Sequence, residues 1–406
     1  MNTTTATLPQ RQPSDADAMQ GLLQAVQQIA PVLREHAPRA EETRHLAPAV
    51  VQAMTRAGLF RLWLPRAFGG FELEPVGALR VVEAVAAIDS AAGWCAAVAA
   101  SATPFLAMLP DAGVQTLFRD PPDPVFSGGL FPPGQAMAVE GGWRLNGRWA
   151  FHSGCQHSHW HLVSALVMDG AQPRVGSDGR PLQIIAAIPA RQAGILDTWH
   201  TLGMRGTGSH DVVVSDLFVP EQHAAWLQPG QPRGAAFQGP LFGIGIWLAV
   251  VCLAPTALGV AHAALDTLLA LAREKTPSYT QTTLQQRAVV QTQAARAEAL
   301  LGAGRAYLHE TVHAAWQQVA GGQALDLQHK VRLQLATTFA IRAAADAVDL
   351  IHEAAGTTAI REEHGLERHF RDVHVVTQHA FGSTARYESV GRLLFGLEPD
   401  WAFFAY

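Results

Sequence analysis

The hydrophobic period of this chain changes twice, and the double change restricts the architectures open to it. Up to about residue 120 the pattern is helical and Ala-rich, around Leu22 to Arg34, Ala47 to Ala57 and Val76 to Ile88, punctuated by Pro38, Pro65 and the Gly69-Gly70 pair. Between Pro121 and Pro220 glycine and proline become frequent, and alternating runs such as AMAVEGGWRLNGRWAF predict strands joined by tight turns. After the connector QPGQPRGAAFQGP the helical period returns over 243–273, 283–320, 326–355 and finally near 373–395. The expected plan is an α+β chain. It has a disordered leader over 1–16, a helical domain over 17–120, a β-barrel or sandwich over 121–225 and a four-helix bundle over 226–406.

Composition agrees with a chain that buries large cores. Of 406 residues, 49% are hydrophobic and only 16% charged, so two or three packed subdomains are expected. The net charge of -5 comes from scattered residues and gives a polyanion nothing to grip, which argues against nucleic acid as a partner. Cys95, Cys155 and Cys252 are widely spaced in apolar or mixed surroundings, as free thiols of a reducing compartment are; a cytoplasmic location is expected. The first residues, MNTTTATLPQRQPSDAD, lack an apolar segment behind a basic start and do not read as a signal peptide. Leu241 to Leu265 contains no Asp, Glu, Lys or Arg, and ~20 such residues span a bilayer. Pro255, His262 and several glycines interrupt the run, however, and its helical pattern continues through Asp266 to Arg273. It is expected to be a core or subunit-interface helix of an oligomer, with no membrane involved.

Three segments carry a more specific signal. They are GGWRLNGRWAFHSGCQHSHW (141–160), DTWHTLGMRGTGSHDVVVSDLFVP (197–220) and LERHFRDVHVVTQHAFGSTARYESVGRLLFG (366–396). Each resembles the matching segment of flavin-dependent monooxygenases built on the acyl-CoA dehydrogenase fold, a subgroup that includes hydroxylases of phenols and steroid-derived phenols and oxygenases of indoles and dibenzothiophene. The resemblance implies an acyl-CoA-dehydrogenase-like fold and the oxygenase half of a two-component, phenol- or indole-type aromatic monooxygenase. It also implies reduced FMN or FAD delivered by a separate NAD(P)H:flavin reductase, O2 as co-substrate, oxygen transfer through a C4a-hydroperoxide, and a homotetramer. The cofactor supplies the hard chemistry; the protein holds it, excludes water and manages protons.

The same resemblance assigns roles. Ser153 matches the serine near flavin N5 and His379 the C-terminal histidine near the reacting carbon, a candidate acid or base. On residues alone, Ser153 beside Gly154 is a turn serine and His379 a structural histidine. His374, five residues earlier, falls on another helical face. Arg205, Thr207, Gly208 and Ser209 belong to an RGTGS string that can offer backbone N–H groups and hydroxyls to a flavin or its phosphate, or simply make a tight turn. Arg273, Arg368 and Arg371 suit a phosphate, or equally an ion pair.

Two further readings rest on the residues themselves. His152, His157, His159 and His161 with Cys155 invite a metal, but no acidic or second cysteine ligand stands at metal-site spacing, so none is expected; His157 remains a pocket candidate. Trp94, Phe126, Phe131 and Trp160 are candidates to wall an aromatic substrate, and core packing explains them as well. Tyr387-Glu388-Ser389 resembles the glutamate motif of true acyl-CoA dehydrogenases, so a dehydrogenase with Glu388 as base is the alternative activity. A flavin-binding scaffold without catalysis is the other.

Overall fold

The computed structural model describes residues 14–406. The leader expected over 1–16 therefore lies outside the described residues except for its end, where a helix is already under way. Helix α1 (Asp15–Thr43) begins at a capping box: Ser14 accepts from the Asp17 amide, and the Asp17 carboxylate accepts from the Ser14 amide. Leu22, Val26, Ala30, Leu33, Ala37 and Ala40 form its buried stripe at spacings of three and four, which Pro31 and Pro38 do not interrupt.

Helices α2 (Pro48–Arg56), α3 (Pro75–Ala86) and α4 (Ser90–Ser101) follow, with two short ones, α5 (Thr103–Leu106) and α6 (Asp111–Leu117). Buried almost all round, α4 takes its place from backbone-close packing. A Cβ on Gly93 would stand 2.5 Å from the Ala86 methyl of α3. At the same end of α3, a Cβ on Gly259 of α8 (Ala254–Glu274) would meet the Glu83 carbonyl at 2.4 Å and the Ala86 methyl at 2.8 Å. Small residues thus draw α4, α3 and α8 into one layer.

The middle of the chain forms strands β1 (Phe126–Val139), β2 (Gly142–Trp149), β3 (Trp160–Asp169), β4 (Gln172–Pro173), β5 (Gln183–Pro189), β6 (Gly194–Leu196), β7 (Asp211–Pro220) and β8 (Ala224–Trp226). They make one eight-stranded sheet in the order β6-β7-β2-β1-β3-β5-β8, with β4 added to β3. β1 and β3 run parallel; their register slips between Gly129 and Gly134. A separate core gathers on this sheet around Trp149, Leu145, Val163 and Ile184, and the Trp149 indole donates to the Ser164 carbonyl at 2.8 Å.

Beyond the connector lie α7 (Trp247–Val251), α8, α9 (Ala288–Ala320) and α10 (Leu327–Ala355), then α11 (Leu366–Val376) and α12 (Ala385–Leu394). α10 packs against α9, α8 and α11. The charge-free stretch is a core element: the segment Trp247–Glu274 is long and apolar enough to cross a membrane, yet its most apolar window is 89% buried inside the protein.

One expected helix is two. The pattern near 373–395 is broken between Val376 and Ala385, where Gly382 packs on Ile341 so closely that a Cβ would stand 2.3 Å from its Cδ1. His379 therefore sits in a turn rather than on a helix face.

Candidate functional site

Four segments meet where α4 passes under the sheet: α4 itself, the loop after β2, the loop between β6 and β7, and the turn between α11 and α12. From α4, the Trp94 indole N–H donates to Ser153 Oγ at 2.9 Å. Ser153 Oγ lies 2.7 Å from Ser209 Oγ, which lies 2.6 Å from Thr207 Oγ1. Thr207 Oγ1 in turn donates to the Met204 carbonyl at 2.8 Å. Trp94, Ser153, Thr207 and Ser209 are all buried. Such a ladder of hydroxyls in a dry interior is costly unless every member is satisfied, and here each has partners.

His379 completes the group. Its ring meets the Trp94 ring edge-on at 5.5 Å and the Phe381 ring at 5.0 Å. The Phe381 amide donates to His379 Nδ1 at 3.2 Å, so Nδ1 is an acceptor and the imidazole proton sits on Nε2. Desolvation pushes its pKa down to about 4. At neutral pH it is a neutral ring that can give a hydrogen bond from Nε2, which narrows the expected acid-or-base role to a donor in the resting protein. Phe381 packs in turn on Phe403 and Trp401 of the C-terminal tail, closing that side with aromatic surface.

The loop between β6 and β7 is anchored from below by an ion cluster. The Met204 amide and the Ser90 hydroxyl both donate to the Asp372 carboxylate. Arg368 donates to Asp89 at 2.8 Å and approaches Asp372 at 3.5 Å. Burial raises the Asp372 pKa to about 6 against the pull of Arg368. These contacts tie α4, the loop and α11 to one another, and sequence reasoning missed Asp372, Met204, Asp89 and Glu41 as parts of the site.

The guanidinium groups of Arg368 and Arg371 face carboxylates of the chain itself. Every guanidinium nitrogen of Arg371 is engaged: Nε with Glu367 at 2.6 Å, Nη1 with the Leu202 carbonyl at 2.7 Å, Nη2 with Glu41 at 2.9 Å. Arg205 donates from Nε to the Glu41 carbonyl at 3.0 Å, joining the loop to α1. Gly208 adopts φ +54°, and a Cβ there would press on Gln156 Oε1 at 2.6 Å and the Arg44 carbonyl at 2.9 Å. The string 205–209 thus turns its hydroxyls inward to Ser153. Arg273, by contrast, is exposed at the end of α8 with no ion pair or hydrogen bond of its side chain among the described residues.

The aromatic candidates separate. Trp94 is in the site. Trp160 is buried at the start of β3 against His223, with ring centroids 5.5 Å apart, and Phe126 packs tilted against Phe118 at 5.5 Å; both are core residues. Phe131, on the bulged stretch of β1, is 61% exposed. His157 is half-buried, its ring 5.9 Å from Phe60, and lines a cavity of about 450 Å³ with His45, Leu46, Val51 and Gln156. Burial, with smaller contributions from His159 and His45, holds its pKa at about 4.

His152 and His161 meet edge-on at 4.7 Å inside the sheet domain, with His161 Nδ1 2.8 Å from Ser127 Oγ. His159 Nδ1 accepts from the Val125 amide, and His374 Nε2 lies 2.9 Å from an Asp349 carboxylate oxygen. No group of three or more His, Cys, Asp or Glu side chains suited to a metal occurs among the described residues. Cys95, Cys155 and Cys252 are buried free thiols. Glu388 is exposed on α12, while Ser389 and Val390 turn inward.

Comparison with known proteins gives this geometry a setting. Residues 19–112 match the family described as acyl-CoA dehydrogenase, N-terminal domain, and residues 251–384 match acyl-CoA dehydrogenase, C-terminal domain. The chain is similar to an indole-3-acetate monooxygenase of Pseudomonas putida, 35% identical over 360 residues that cover 88% of this chain and 90% of the relative. It is also similar to the oxygenase component of an FADH(2)-dependent resorcinol hydroxylase of Rhizobium sp., 27% identical over 96% of this chain and 97% of the relative. Among solved structures, XiaF from Streptomyces sp. in complex with FADH2 and glycerol superposes with a TM-score of 0.86 at 25% identity, covering 95% of this chain and 98% of that one.

Proposed function

The chain belongs to the acyl-CoA dehydrogenase family, in its branch of flavin-dependent monooxygenases, and on that premise we propose that it is the oxygenase component that inserts one atom of O2 into an indole- or phenol-type aromatic molecule. A separate reductase supplies its FMNH2 or FADH2. The observation that supports this reading most strongly is the convergence of Ser153, Trp94 and His379, three residues from distant segments, in one apolar, water-poor place.

The residues suit a reduced isoalloxazine. Ser153 Oγ keeps an acceptor position beyond the indole donation it already receives, His379 offers a neutral Nε2–H, and Trp94 and Phe381 give flat apolar walls. Arg273, exposed and without a partner among the described residues, suits the phosphate end. When bound, the reduced flavin supplies the electrons that activate O2 for single-atom transfer. With the flavin bound, Ser153 would hold the ring edge through its hydroxyl, His379 would offer its hydrogen bond to the oxygen being transferred, and the aromatic tail residues would keep water out.

The dehydrogenase alternative is weaker because its base, Glu388, points to solvent on α12. A homotetramer is the assembly this reading carries, and Leu394 and Phe395, exposed at the end of α12, supply apolar surface for a second copy. Its three buried thiols suit a cytoplasmic setting. The test is turnover with a flavin reductase, NADH and O2 against a panel of indoles, indole-acetic acids and phenols, beside a parallel acyl-CoA assay. Oxygenated aromatic product supports the reading, and an enoyl product would replace it with the dehydrogenase.

A further inference from the structure

The hydroxyl ladder has a direction. Each hydroxyl owns one proton, and the end of the series is set by a group that can only accept: Thr207 lies 2.8 Å from the Met204 carbonyl and must donate to it. With its proton committed there, Thr207 receives from Ser209, and Ser209, its own proton spent, receives from Ser153. Ser153 then has no proton left to offer. It takes one hydrogen bond from the Trp94 indole and keeps a single free lone pair.

From this we propose that Ser153 is an obligate hydrogen-bond acceptor toward the flavin, and that Thr207 and Ser209 are positioning residues that impose this polarity and so make the site discriminate between redox states. The inference rests on the flavin reading given above. Reduced flavin carries a proton on N5 and matches a lone pair. Oxidised flavin has a bare N5 lone pair, and two acceptors facing one another repel. The site thereby favours the incoming reduced cofactor and releases the spent one.

Reversing the ladder is unfavourable for a visible reason. If Ser153 donated to N5, only two hydroxyl protons would remain for the three contacts Ser153–Ser209, Ser209–Thr207 and Thr207–Met204, so one oxygen pair would stand close together with no proton between them. Met204 cannot swing away. Its carbonyl also accepts from the Trp199 indole at 3.0 Å, its amide donates to Asp372, and its own φ of +53° is held by those contacts.

The experiment is anaerobic titration of the full chain with dithionite-reduced FMN and with oxidised FMN, in the wild type, Thr207→Val, Thr207→Ser and Ser209→Ala, reading dissociation constants from flavin and tryptophan fluorescence. Wild type should prefer the reduced form. Thr207→Val and Ser209→Ala should each cut that preference ~10-fold or more, the ratio equivalent to one hydrogen bond, while Thr207→Ser retains it. Oxidised 5-deazaFMN, planar like FMN but with C–H in place of the N5 lone pair, should bind wild type more tightly than FMN does. If both variants weaken the two redox forms equally, or 5-deazaFMN gains nothing, the polarity argument is overturned although the flavin reading stands. If the wild type binds neither form, the flavin reading itself fails.

Discussion

Trp94 joins the two chemical halves of the site: its indole N–H donates to Ser153 Oγ at 2.9 Å, and its ring stands edge-on to that of His379 at 5.5 Å. Ser153 lies on a loop of the sheet domain and His379 in a turn of the C-terminal helices, so a residue from the first helical segment holds a hydroxyl and an imidazole from the other two. The relation makes Trp94 more than a wall. Trp94→Phe should keep the apolar surface but leave one Ser153 lone pair without its donor, lowering the fraction of O2 that ends in product while total O2 uptake continues. Unchanged coupling of uptake to product would show that the indole N–H is dispensable.

On the proposed reading Ser153 is the hydroxyl of the ladder that meets the flavin, and Ser153→Ala removes it. Hydrogen peroxide should become the main oxygen product, measured with an oxygen electrode before and after catalase, while reduced-flavin binding weakens ~10-fold or less. A variant as well coupled as the wild type would remove Ser153 from the chemistry.

His379→Ala should leave the affinity for reduced flavin largely intact and cut hydroxylation ~10²-fold, the usual scale for losing a proton-handling group. His379→Asn, which keeps a donor in the same place, should recover part of the loss. Because its pKa lies near 4, the rate should show no inflection from this ring between pH 6 and 8.

Asp372→Asn keeps the shape of the side chain but leaves Arg368 with one fewer buried partner. Breaking such a pair costs on the order of 3 kcal/mol, so the thermal midpoint should fall clearly. The loop 204–209 should become accessible to protease or hydrogen exchange, because the Met204 amide loses a charged acceptor. A midpoint within a degree of wild type would mean that the cluster does not brace the site.

Stability should decline on acidification within a defined window. Burial holds His157, His161 and His379 near pKa 4, and burial aided by Arg368 does the same for His369. The unfolded chain takes up these protons near pH ~6.5 and the folded one only near 4. Their contribution is full above ~6.5, is lost progressively as pH falls toward 4, and changes no further below that. Urea midpoints measured from pH 7.5 to 4 test this, and a flat profile down to pH 4.5 would contradict it.

The long amphipathic helices were legible because buried residues recur along one face: the pattern places α9 and α10 within a few residues, while α1 runs well beyond both ends of the stretch Leu22 to Arg34 that announces it. α4 has no stripe to read, since it is buried on nearly every side, and its importance emerges only from its packing. Ser153 and His379 were found through resemblance, not through any local pattern. The ion cluster was hard to see for a physical reason: only Arg368, four residues before Asp372, is local, whereas Ser90 and Asp372 are separated by 282 residues and Met204 and Asp372 by 168. For Arg371 the ion-pair alternative had a local partner in Glu367, four residues before it, but Glu41, 330 residues away, emerges only from the structure.

The central claim is that this protein transfers one atom of molecular oxygen to an aromatic ring using reduced flavin made elsewhere. The direct measurement is a single-turnover reaction: protein charged anaerobically with reduced FMN or FAD is mixed with 18O2 and an indole or phenol substrate, and the product is examined by mass spectrometry. One 18O atom in the product, with the other in water, is the expected result. An oxygenated product without 18O, its oxygen drawn from water, or an acyl-CoA oxidised in place of the aromatic, would contradict the account.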